Sequence, residues 1–305
     1  MSDITRTPWS RRQLLRGGLA LTAWMLRPSW ARAEEEIELA EPIAPVGDPE
    51  CTRWALLSDT HIAADPENHY RGFYPYRNLQ EVTAQIGDDL PDGLVITGDL
   101  ARLKGQTQAY ENLKALLTPI AEQRPVHLAL GNHDKRDDFF ESFGISYDDD
   151  GVVKNKHVVT AEAGPVRLIV LDSLLTVNWW TGKLGELQCS WLGTVLQMCD
   201  DKPTILFLHH TLNGQLLDMH RLLDLIKPIA KIKAVVYGHS HKYNYSEFAG
   251  IHLINVPATG FNQWGCHPVG WVEARFTRET GEFKLHTIGG NRKLEGHTRT
   301  LTWRT

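Results

Sequence analysis

The 305-residue chain has few cysteines, no excess of basic residues and no long apolar run. Its four cysteines have neither the spacing of a metal site nor that of a disulfide framework. A formal net charge of -5 gives no basic surface of the kind that nucleic-acid binding needs, so we expect no nucleic-acid polymer as a partner. No apolar run approaches the roughly 20 residues of a membrane-spanning helix. The composition is otherwise that of an ordinary globular protein.

The first 33 residues differ from the rest, because they hold six arginines and one acidic residue. Arg11-Arg12 and the leucines after them precede a weakly apolar run at 17–26 and then Ala31-Arg32-Ala33. This order of basic, apolar and A-x-A segments is typical of an export signal. The arginine pair resembles the bacterial twin-arginine signal, which is read by a receptor and is not an anchor.

An amphipathic N-terminal helix is the alternative for this segment, but Gly17-Gly18 and Pro28 interrupt it. We therefore predict a signal peptide at 1–33, a lead segment at 34–50 and one folded domain at 51–305. The expected partner is the twin-arginine export machinery, the expected location is the periplasm or another exported site, and no stable membrane anchor is expected.

The cysteines are not expected to hold the domain together. Cys189 and Cys199 lie on one predicted helix, ten residues or about 15 Å apart, which exceeds the roughly 7 Å limit for bridged Cα atoms. We interpret these two, Cys51 and Cys266 as small apolar residues, and the sequence leaves their oxidation state open.

From residue 52 the chain alternates short apolar runs with amphipathic stretches, a pattern that predicts an α/β fold. Buried strands are expected at 54–57, 94–96, 126–130, 166–171, 204–208 and 234–237. Helices are expected at 76–86, 107–117, 186–198 and 215–229. Antiparallel strands are expected at 243–248, 251–256, 270–276 and 283–288.

Potential metal ligands follow five of these strands, at the carboxyl ends where α/β sheets form their sites. All are nitrogen or oxygen donors without a thiolate, which favours a Mn, Fe or Zn pair over a structural zinc site. The seven candidates are Asp59, His61, Asp99, Asn132, His209, His239 and His241.

Each of the five motifs alone is weak evidence, since Asp-x-His occurs by chance and Gly-Asp is an ordinary turn. Gly131-Asn132-His133-Asp134 and Gly238-His239-Ser240-His241 are more specific. Their glycines are expected to let the backbone bend so that the next side chain points inward. All five motifs in this order, each closing a strand, favour one shared metal site.

Taken together, the motifs resemble those of the calcineurin-like metallophosphoesterases over about residues 52–290. Within that superfamily the chain is most similar to class III cyclic-nucleotide phosphodiesterases and related glycerophosphodiesterases. The resemblance implies a four-layer α/β/β/α sandwich with two metal ions at its rim. It assigns Asp59, His61 and His241 to the first ion, Asn132, His209 and His239 to the second, and Asp99 to a bridging position.

One departure concerns the histidine pair. Relatives often have His-His-Pro where this chain has His209-His210-Thr211. We favour His209 as the ligand, and the reverse assignment to His210 stays open.

Two divalent ions can activate a bridging hydroxide for in-line attack on a phosphoester and neutralise charge on the phosphoryl oxygens. His133 resembles the family's substrate-facing histidine, which would serve the phosphate or the leaving oxygen. Asp134 is predicted to fix the tautomer of His133, with a helix N-cap as the alternative of equal weight.

Several aromatic and basic side chains are left with two interpretations. Arg136 would contact phosphate or lie exposed on a helix. Trp179-Trp180 and the segment 261–264 would stack on a nucleobase or, more commonly, pack in the protein.

The sequence therefore predicts an exported dimetal hydrolase for a small phosphodiester, of the cyclic-nucleotide or glycerophosphodiester kind. The alternatives are a broad phosphomonoesterase and, in another class, a non-catalytic metal-binding module on the same fold. The metal, the substrate and the oligomeric state are not determined by the sequence.

Overall fold

The structure is a computed structural model that describes residues 50–145 and 153–305. The predicted signal peptide at 1–33 and all but the last residue of the lead segment at 34–50 lie outside the described residues.

The described residues form twelve strands, five α-helices and one short 3-10 helix. The strands are β1 (Thr52–Leu57), β2 (Gly93–Ile96), β3 (Val126–Leu128), β4 (Val159–Ala163), β5 (Val166–Val170), β6 (Thr204–Phe207), β7 (Ile232–Tyr237), β8 (Asn244–Phe248), β9 (Ile251–Asn255), β10 (Pro268–Phe276), β11 (Thr280–Gly290) and β12 (Thr298–Thr302). The α-helices are α1 (Pro75–Asp88), α2 (Thr107–Ala121), α3 (Arg136–Phe143), α4 (Glu186–Met198) and α5 (Met219–Ile226), and the 3-10 helix is Arg292–Leu294.

Two six-stranded mixed sheets organise these elements. The first has the strand order β12-β11-β10-β1-β2-β3, and the second has the order β4-β5-β6-β7-β9-β8. Strands β1, β2 and β3 are parallel, as are β5, β6, β7 and β9. The carboxyl ends of β1, β2, β3, β6 and β7 carry the five predicted motifs, so the topology brings these motifs to one rim.

Three hydrophobic clusters lie between four layers. Leu57 of β1 packs in the cluster beneath α1, α2 and α3, whereas its neighbour Leu56 faces the cluster between the two sheets. This alternation follows from the two faces of a strand. Leu206 of β6 packs beneath α4 and α5 with Leu192, and Phe207 faces the central cluster. Burial of each such side chain contributes roughly 1.5–3 kcal/mol to the free energy of folding. The predicted α/β/β/α sandwich is confirmed.

Several predicted elements need correction. Strand β9 pairs with β8 in antiparallel fashion as expected, but it pairs with β7 in parallel, because it re-enters the second sheet beside that strand. The helix predicted at 215–229 is confined to Met219–Ile226. Strands β4 and β12 were not predicted, and both lie at sheet edges, where half-exposed positions weaken the apolar signal.

Within the described part of the chain, no helix has the length and apolar character needed to cross a bilayer. All four cysteines are described, and all four are free thiols. Cys189 is buried and fits the expected apolar role, whereas Cys266 is exposed.

Candidate metal centre

The loops after β1, β2, β6 and β7 bring six of the predicted ligands into two groups. Within each group, one potential ligand atom per residue lies within 4.8 Å of the others. The groups are Asp59, His61 and His241, and Asp99, His209 and His239.

The first group is arranged around facing donor atoms. Nε2 of His61 lies 3.1 Å from Nε2 of His241, and Oδ1 of Asp59 lies 3.3 Å from the same His241 nitrogen. Oδ1 of Asp59 is buried and has no hydrogen-bond partner among the described residues. Nδ1 of His241 contacts the carbonyl oxygen of Phe261 at 2.6 Å, which leaves Nε2 free to ligate. A cation would satisfy all three converging atoms.

The second group repeats this arrangement on the other side of the rim. Nδ1 of His239 lies 3.1 Å from Nε2 of His209, and Oδ1 of Asn132 lies 3.3 Å from that same His209 nitrogen. Nδ1 of His209 contacts the carbonyl oxygen of Thr97 at 2.9 Å. This contact orients the ring and turns Nε2 toward the group, as is usual for metal-binding histidines.

Asp99 lies between the two groups. Its Oδ1 is 3.3 Å from Nε2 of His209, and its Oδ2 is 3.7 Å from Nε2 of His61. Oδ1 also accepts a hydrogen bond of 2.8 Å from the backbone N–H of His133. The two oxygens of one carboxylate therefore face both groups, which is the placement that a bridging ligand requires.

The electrostatics keep the carboxylates in the form that a metal needs. Burial raises the pKa of Asp59, but the neighbouring histidines, His241 first and then His209, together outweigh burial and hold this pKa below its usual value. Burial also raises the pKa of Asp99, but the surrounding histidines, His209 first, together hold this pKa well below its usual range. Burial lowers the pKa of His61 to about 3, so its imidazole is neutral at neutral pH. An ionised carboxylate and a neutral imidazole are the ligating forms.

The same carboxylates favour the protonated form of two other histidines. Burial lowers the pKa of His209, but Asp99 outweighs this effect and raises the pKa to about 9. Asp59 likewise overcomes the burial of His241 and raises its pKa. A cation that binds to either group would displace these protons.

Backbone strain is concentrated at the predicted ligands. Five of the seven have a left-handed conformation, which is uncommon for residues other than glycine and costs roughly 1–3 kcal/mol each. They are Asp59 (φ 50°), His61 (φ 47°), Asp99 (φ 49°), His239 (φ 66°) and His241 (φ 52°).

The motif glycines act differently from the prediction. Gly131 and Gly238 do not have positive φ, so a sharp bend is not their role. A Cβ atom on Gly131 would lie 2.2 Å from Oδ1 of Asp99, and one on Gly238 would lie 1.7 Å from Oγ of Ser58. These positions need glycine because the neighbouring loop passes against the backbone.

His133 lies at the open side of the site, with its side chain 26% exposed. Its Nε2 is 4.0 Å from Oδ2 of Asp99, and it forms a third group of potential ligands with His61 and Asp99. Its Nδ1 is 2.7 Å from Oδ1 of Asn178 and 3.3 Å from the carbonyl oxygen of Leu103. The ring is therefore fixed on one edge, while the other edge faces the site.

The assignment of Asp134 to the tautomer of His133 is wrong, and so is the N-cap alternative. The buried carboxylate accepts hydrogen bonds from the backbone N–H groups of Leu100, Ala101 and Gly131, and from the hydroxyl of Tyr110. Helix α3 has Lys135 at its N-cap instead, without a side-chain cap. Asp134 ties the loop after β2 to the loop after β3, because its carboxylate satisfies their otherwise buried backbone donors.

His210 lies behind the site. Its Nδ1 contacts Oγ of Ser173 at 2.8 Å, and its ring stands 4.8 Å from the ring of His239. The structure groups His209, and not His210, with Asp99. Burial, followed by the charge of His209, lowers the pKa of His210, so this ring is a neutral buried support.

The structure also places Arg136 and the aromatic side chains for which the sequence left two interpretations. Arg136 binds Asp172 through both carboxylate oxygens, at 2.7 and 2.9 Å, so it neither lies free on the helix nor faces the metal groups. Phe261 packs on the rings of His61 and His241, whereas Trp179 and Trp180 are exposed.

Asn178 was missed by sequence reasoning, although it contacts His133 directly and its backbone N–H donates to the carbonyl oxygen of Asn132 at 2.6 Å. An isolated asparagine in a loop belongs to no motif. The one signal was its position beside the predicted rim segment Trp179-Trp180.

Comparison with known proteins agrees with this geometry. The family described as calcineurin-like phosphoesterase matches residues 52–243. The chain belongs to this family. It is a metal-dependent phosphoric ester hydrolase, and the curated relatives described below are named as phosphodiesterases.

Two curated relatives and one solved structure illustrate the similarity. A probable cyclic nucleotide phosphodiesterase of Rhodococcus erythropolis is 32% identical over 68% of this chain and 70% of its own length. A glycerophosphodiester phosphodiesterase, GpdQ, of Enterobacter lignolyticus is 25% identical over 70% of this chain and 79% of its own length. The crystal structure of a dimetal phosphatase from Danio rerio has a TM-score of 0.65 at 16% identity, covers 83% of this chain and 99% of its own, and shares the fold.

Proposed function

We propose that the protein hydrolyses small phosphodiesters at a pair of metal ions. The observation that carries the proposal is the position of Asp99, whose two oxygens face two separate groups of histidine and aspartate ligands. The names of the relatives support a phosphodiester substrate of the cyclic-nucleotide or glycerophosphodiester kind.

The residues at the rim fit a dinuclear centre. In our assignment Asp59, His61 and His241 would hold the first ion, Asn132, His209 and His239 would hold the second, and Asp99 would be shared between them. The donors are imidazole, carboxylate and amide groups, which suit Fe, Mn or Zn. Bound ions of this kind supply Lewis-acid charge to the phosphoryl oxygens and activate water.

His133 is the side chain that we assign to the leaving group. It is partly exposed, it follows the ligand Asn132, and its Nε2 faces the site beside Asp99, while its Nδ1 is held by Asn178. A positioned imidazole of this kind can donate a proton to a departing alkoxide and typically contributes roughly 10² to 10⁴ to the rate.

The substrate class is tested with protein reconstituted with Mn, Fe or Zn and analysed for metal content. We expect two ions per chain, and faster hydrolysis of bis-(p-nitrophenyl) phosphate, a cyclic nucleotide or a glycerophosphodiester than of p-nitrophenyl phosphate. Preference for the monoester would favour a broad phosphomonoesterase. Two bound ions without turnover of any of these would favour a non-catalytic module.

The role of His133 is tested by His133→Ala. We expect kcat to fall while metal content stays unchanged, and to fall further for an alkoxide leaving group than for p-nitrophenolate, which departs without protonation. Equal losses on both substrates would assign His133 to electrostatic stabilisation of the phosphoryl group. Loss of an ion would make it a ligand, in line with its position beside His61 and Asp99.

Export is a separate part of the proposal and depends on the arginine pair in residues 1–33, outside the described region. Replacement of Arg11-Arg12 by Lys-Lys should retain the uncut protein in the cytoplasm, because a twin-arginine receptor reads the guanidinium pair and not charge alone. Fractionation and N-terminal sequencing of the wild type and the double variant measure this. Normal export of the variant would assign the protein to another route.

A further inference from the structure

Arg102 lies at the edge of the metal centre without an acidic partner among the described residues. Its Cζ stands 4.6 Å from the ring centre of Tyr70 and 5.8 Å from that of Phe261. Phe261 in turn packs at 4.7 Å on the rings of both His61 and His241. Phe261 therefore contacts both this guanidinium and two predicted metal ligands.

The two ring contacts leave the guanidinium charge of Arg102 without an anionic partner among the described residues. The side chain is half-buried, and burial lowers the pKa of Arg102 without a carboxylate to oppose it. Two bound cations nearby would add repulsion. An anion that approached the metal centre would relieve both costs, because guanidinium forms strong hydrogen bonds to anionic oxygens.

We propose that Arg102 is an anion-binding subsite at the rim and contacts an anionic oxygen of the phosphoester. The inference rests on the proposed function for the identity of the ligand. The oxygen belongs either to the phosphoryl group at the metals or to a second anionic group on the same substrate.

Arg77 offers a control with a similar ring contact. Its Cζ stands 4.5 Å from the ring centre of Tyr74, so it also stacks on a tyrosine, but Glu67 pairs with it at 2.5 Å. Arg102→Gln and Arg77→Gln therefore remove the same group from an unpaired and from a paired setting.

Binding of inorganic phosphate to the zinc-loaded protein is measured by calorimetry for the wild type and both variants. Turnover is measured with bis-(4-nitrophenyl) phosphate and with 4-carboxyphenyl 4-nitrophenyl phosphate, which carries a remote carboxylate. Arg102→Gln should reduce kcat/KM about tenfold or more, and Arg77→Gln less than about twofold. If kcat/KM of Arg102→Gln falls on both diesters and phosphate binds more weakly, Arg102 contacts the phosphoryl group. If kcat/KM falls only on the carboxylate-bearing diester, Arg102 contacts the second anionic group of the substrate.

Equal behaviour of the two variants in every assay would overturn the subsite. If the wild type binds zinc and phosphate but hydrolyses neither diester, the proposed function fails. In that case the difference in phosphate binding between Arg102→Gln and Arg77→Gln still tests whether Arg102 binds an anion.

A second inference comes from a different observation, the contact of Asn178 with His133. The geometry points to Asn178 as a positioning residue for the His133 ring. Its backbone N–H donates to Asn132, and its Oδ1 lies 2.7 Å from Nδ1 of His133. Asn178 itself has a left-handed backbone, with φ of 60°, a conformation that asparagine tolerates better than most residues.

When Oδ1 of Asn178 accepts the Nδ1 proton, the ring is held with Nε2 toward the site. One residue thus fixes both the backbone before His133 and the ring itself. Because the contact requires an oxygen at this position, Asp should preserve it and Gly should remove it, while Gly keeps the N–H and the positive φ without strain.

The test compares Asn178→Gly, Asn178→Asp and, as a control, Asn155→Gly, which replaces an exposed asparagine with φ of 58°. Asn178→Gly should lower kcat about tenfold or more with little change in KM, Asn178→Asp should recover most of the loss, and Asn155→Gly should match the wild type. Nitrogen NMR of the zinc-loaded protein, with the His133 signals assigned from His133→Gln, should show mixed tautomers in Asn178→Gly alone.

Wild-type kcat and unchanged His133 signals in Asn178→Gly would refute this role. A loss in Asn178→Asp equal to that in Asn178→Gly would refute the assignment of the side-chain oxygen as acceptor.

Discussion

Asp59 and Asp172 are both fully buried carboxylates that follow a buried parallel strand, yet their surroundings differ completely. Both oxygens of Asp172 bind Arg136, and they also accept hydrogen bonds from the backbone N–H groups of His157 and Leu174. Asp59 leaves Oδ1 without a hydrogen bond and faces a neighbouring imidazole nitrogen instead. A buried carboxylate with saturated oxygens holds the fold, whereas one with a free oxygen can hold an ion.

The buried histidines divide in the same way. His127 stacks on Trp54 at 5.5 Å within the sheet region, and no potential ligand group among the described residues includes it. His61 and His241 are equally buried, but their Nε2 atoms face each other at 3.1 Å. Burial alone therefore does not identify a site residue. The direction of its unused polar atoms does.

The largest expected effect concerns the structural carboxylate. Asp172→Ala removes the partner of Arg136 and Lys156 in a buried setting, which should reduce the free energy of unfolding by about 3–5 kcal/mol. Urea denaturation measures the loss, with exposed Asp88→Ala as the control expected to stay within about 0.5 kcal/mol. If the free energy of unfolding falls no further in Asp172→Ala than in the control, Asp172 does not stabilise the fold.

Asp99→Asn should show the opposite balance between activity and stability. Turnover should fall about 10²-fold or more, about 3 kcal/mol in activation free energy, because the bridging charge is weakened. The free energy of unfolding without added metal should fall less than in Asp172→Ala, because Asn retains an oxygen for the His133 N–H and His209 can release the proton that Asp99 favours. Near-wild-type turnover with two ions bound would exclude Asp99 from the bridging role.

Added metal should stabilise the protein through the site residues alone. A ligand at 100 times its dissociation constant contributes about 2.7 kcal/mol to the free energy of unfolding. The thermal melting temperature should therefore rise with increasing Zn²⁺ or Mn²⁺ for the wild type and for Asp172→Asn, and rise less for His241→Gln, which retains only the second group intact. An equal shift in His241→Gln would assign the binding to residues outside the first group.

The sequence allowed prediction of the layers and the rim because buried strands and their terminal motifs are local signals. Asp59, Asp99 and the histidines each follow a strong apolar run, so the sheet itself brings them together. The partners of Asp134 could not be predicted, because its donors come from Leu100 and Ala101 in another loop.

The remaining errors have similar causes. The pairing of β9 depends on which neighbour it meets in the second sheet, and strand β12 has one buried residue, Leu301, among five. Neither feature leaves a periodic pattern of its own. Asn178 likewise depends on the path of a loop between elements, which the spacing of apolar residues does not specify.

The smallest expected effect is on the pH dependence of the free energy of unfolding, to which the structural histidine His127 contributes. Burial lowers the pKa of His127 to about 4, below the usual 6.5 that applies in the unfolded chain. Between these values the unfolded chain binds a proton that the folded protein excludes, so the free energy of unfolding falls as pH falls through this window. Protonation of His127 in the unfolded chain therefore lowers the free energy of unfolding by about 2 kcal/mol between pH 7 and pH 5.

His127→Gln removes this contribution without altering the metal ligands, whose own titration is common to both proteins and cancels in the comparison. The measurement is the free energy of unfolding by urea at pH 7 and pH 5, for the wild type and His127→Gln. We expect His127→Gln to reduce the difference between the two pH values by about 2 kcal/mol. An unchanged dependence in His127→Gln would mean that the folded protein accepts the proton at His127, and the division between structural and ligating histidines would then lose its clearest example.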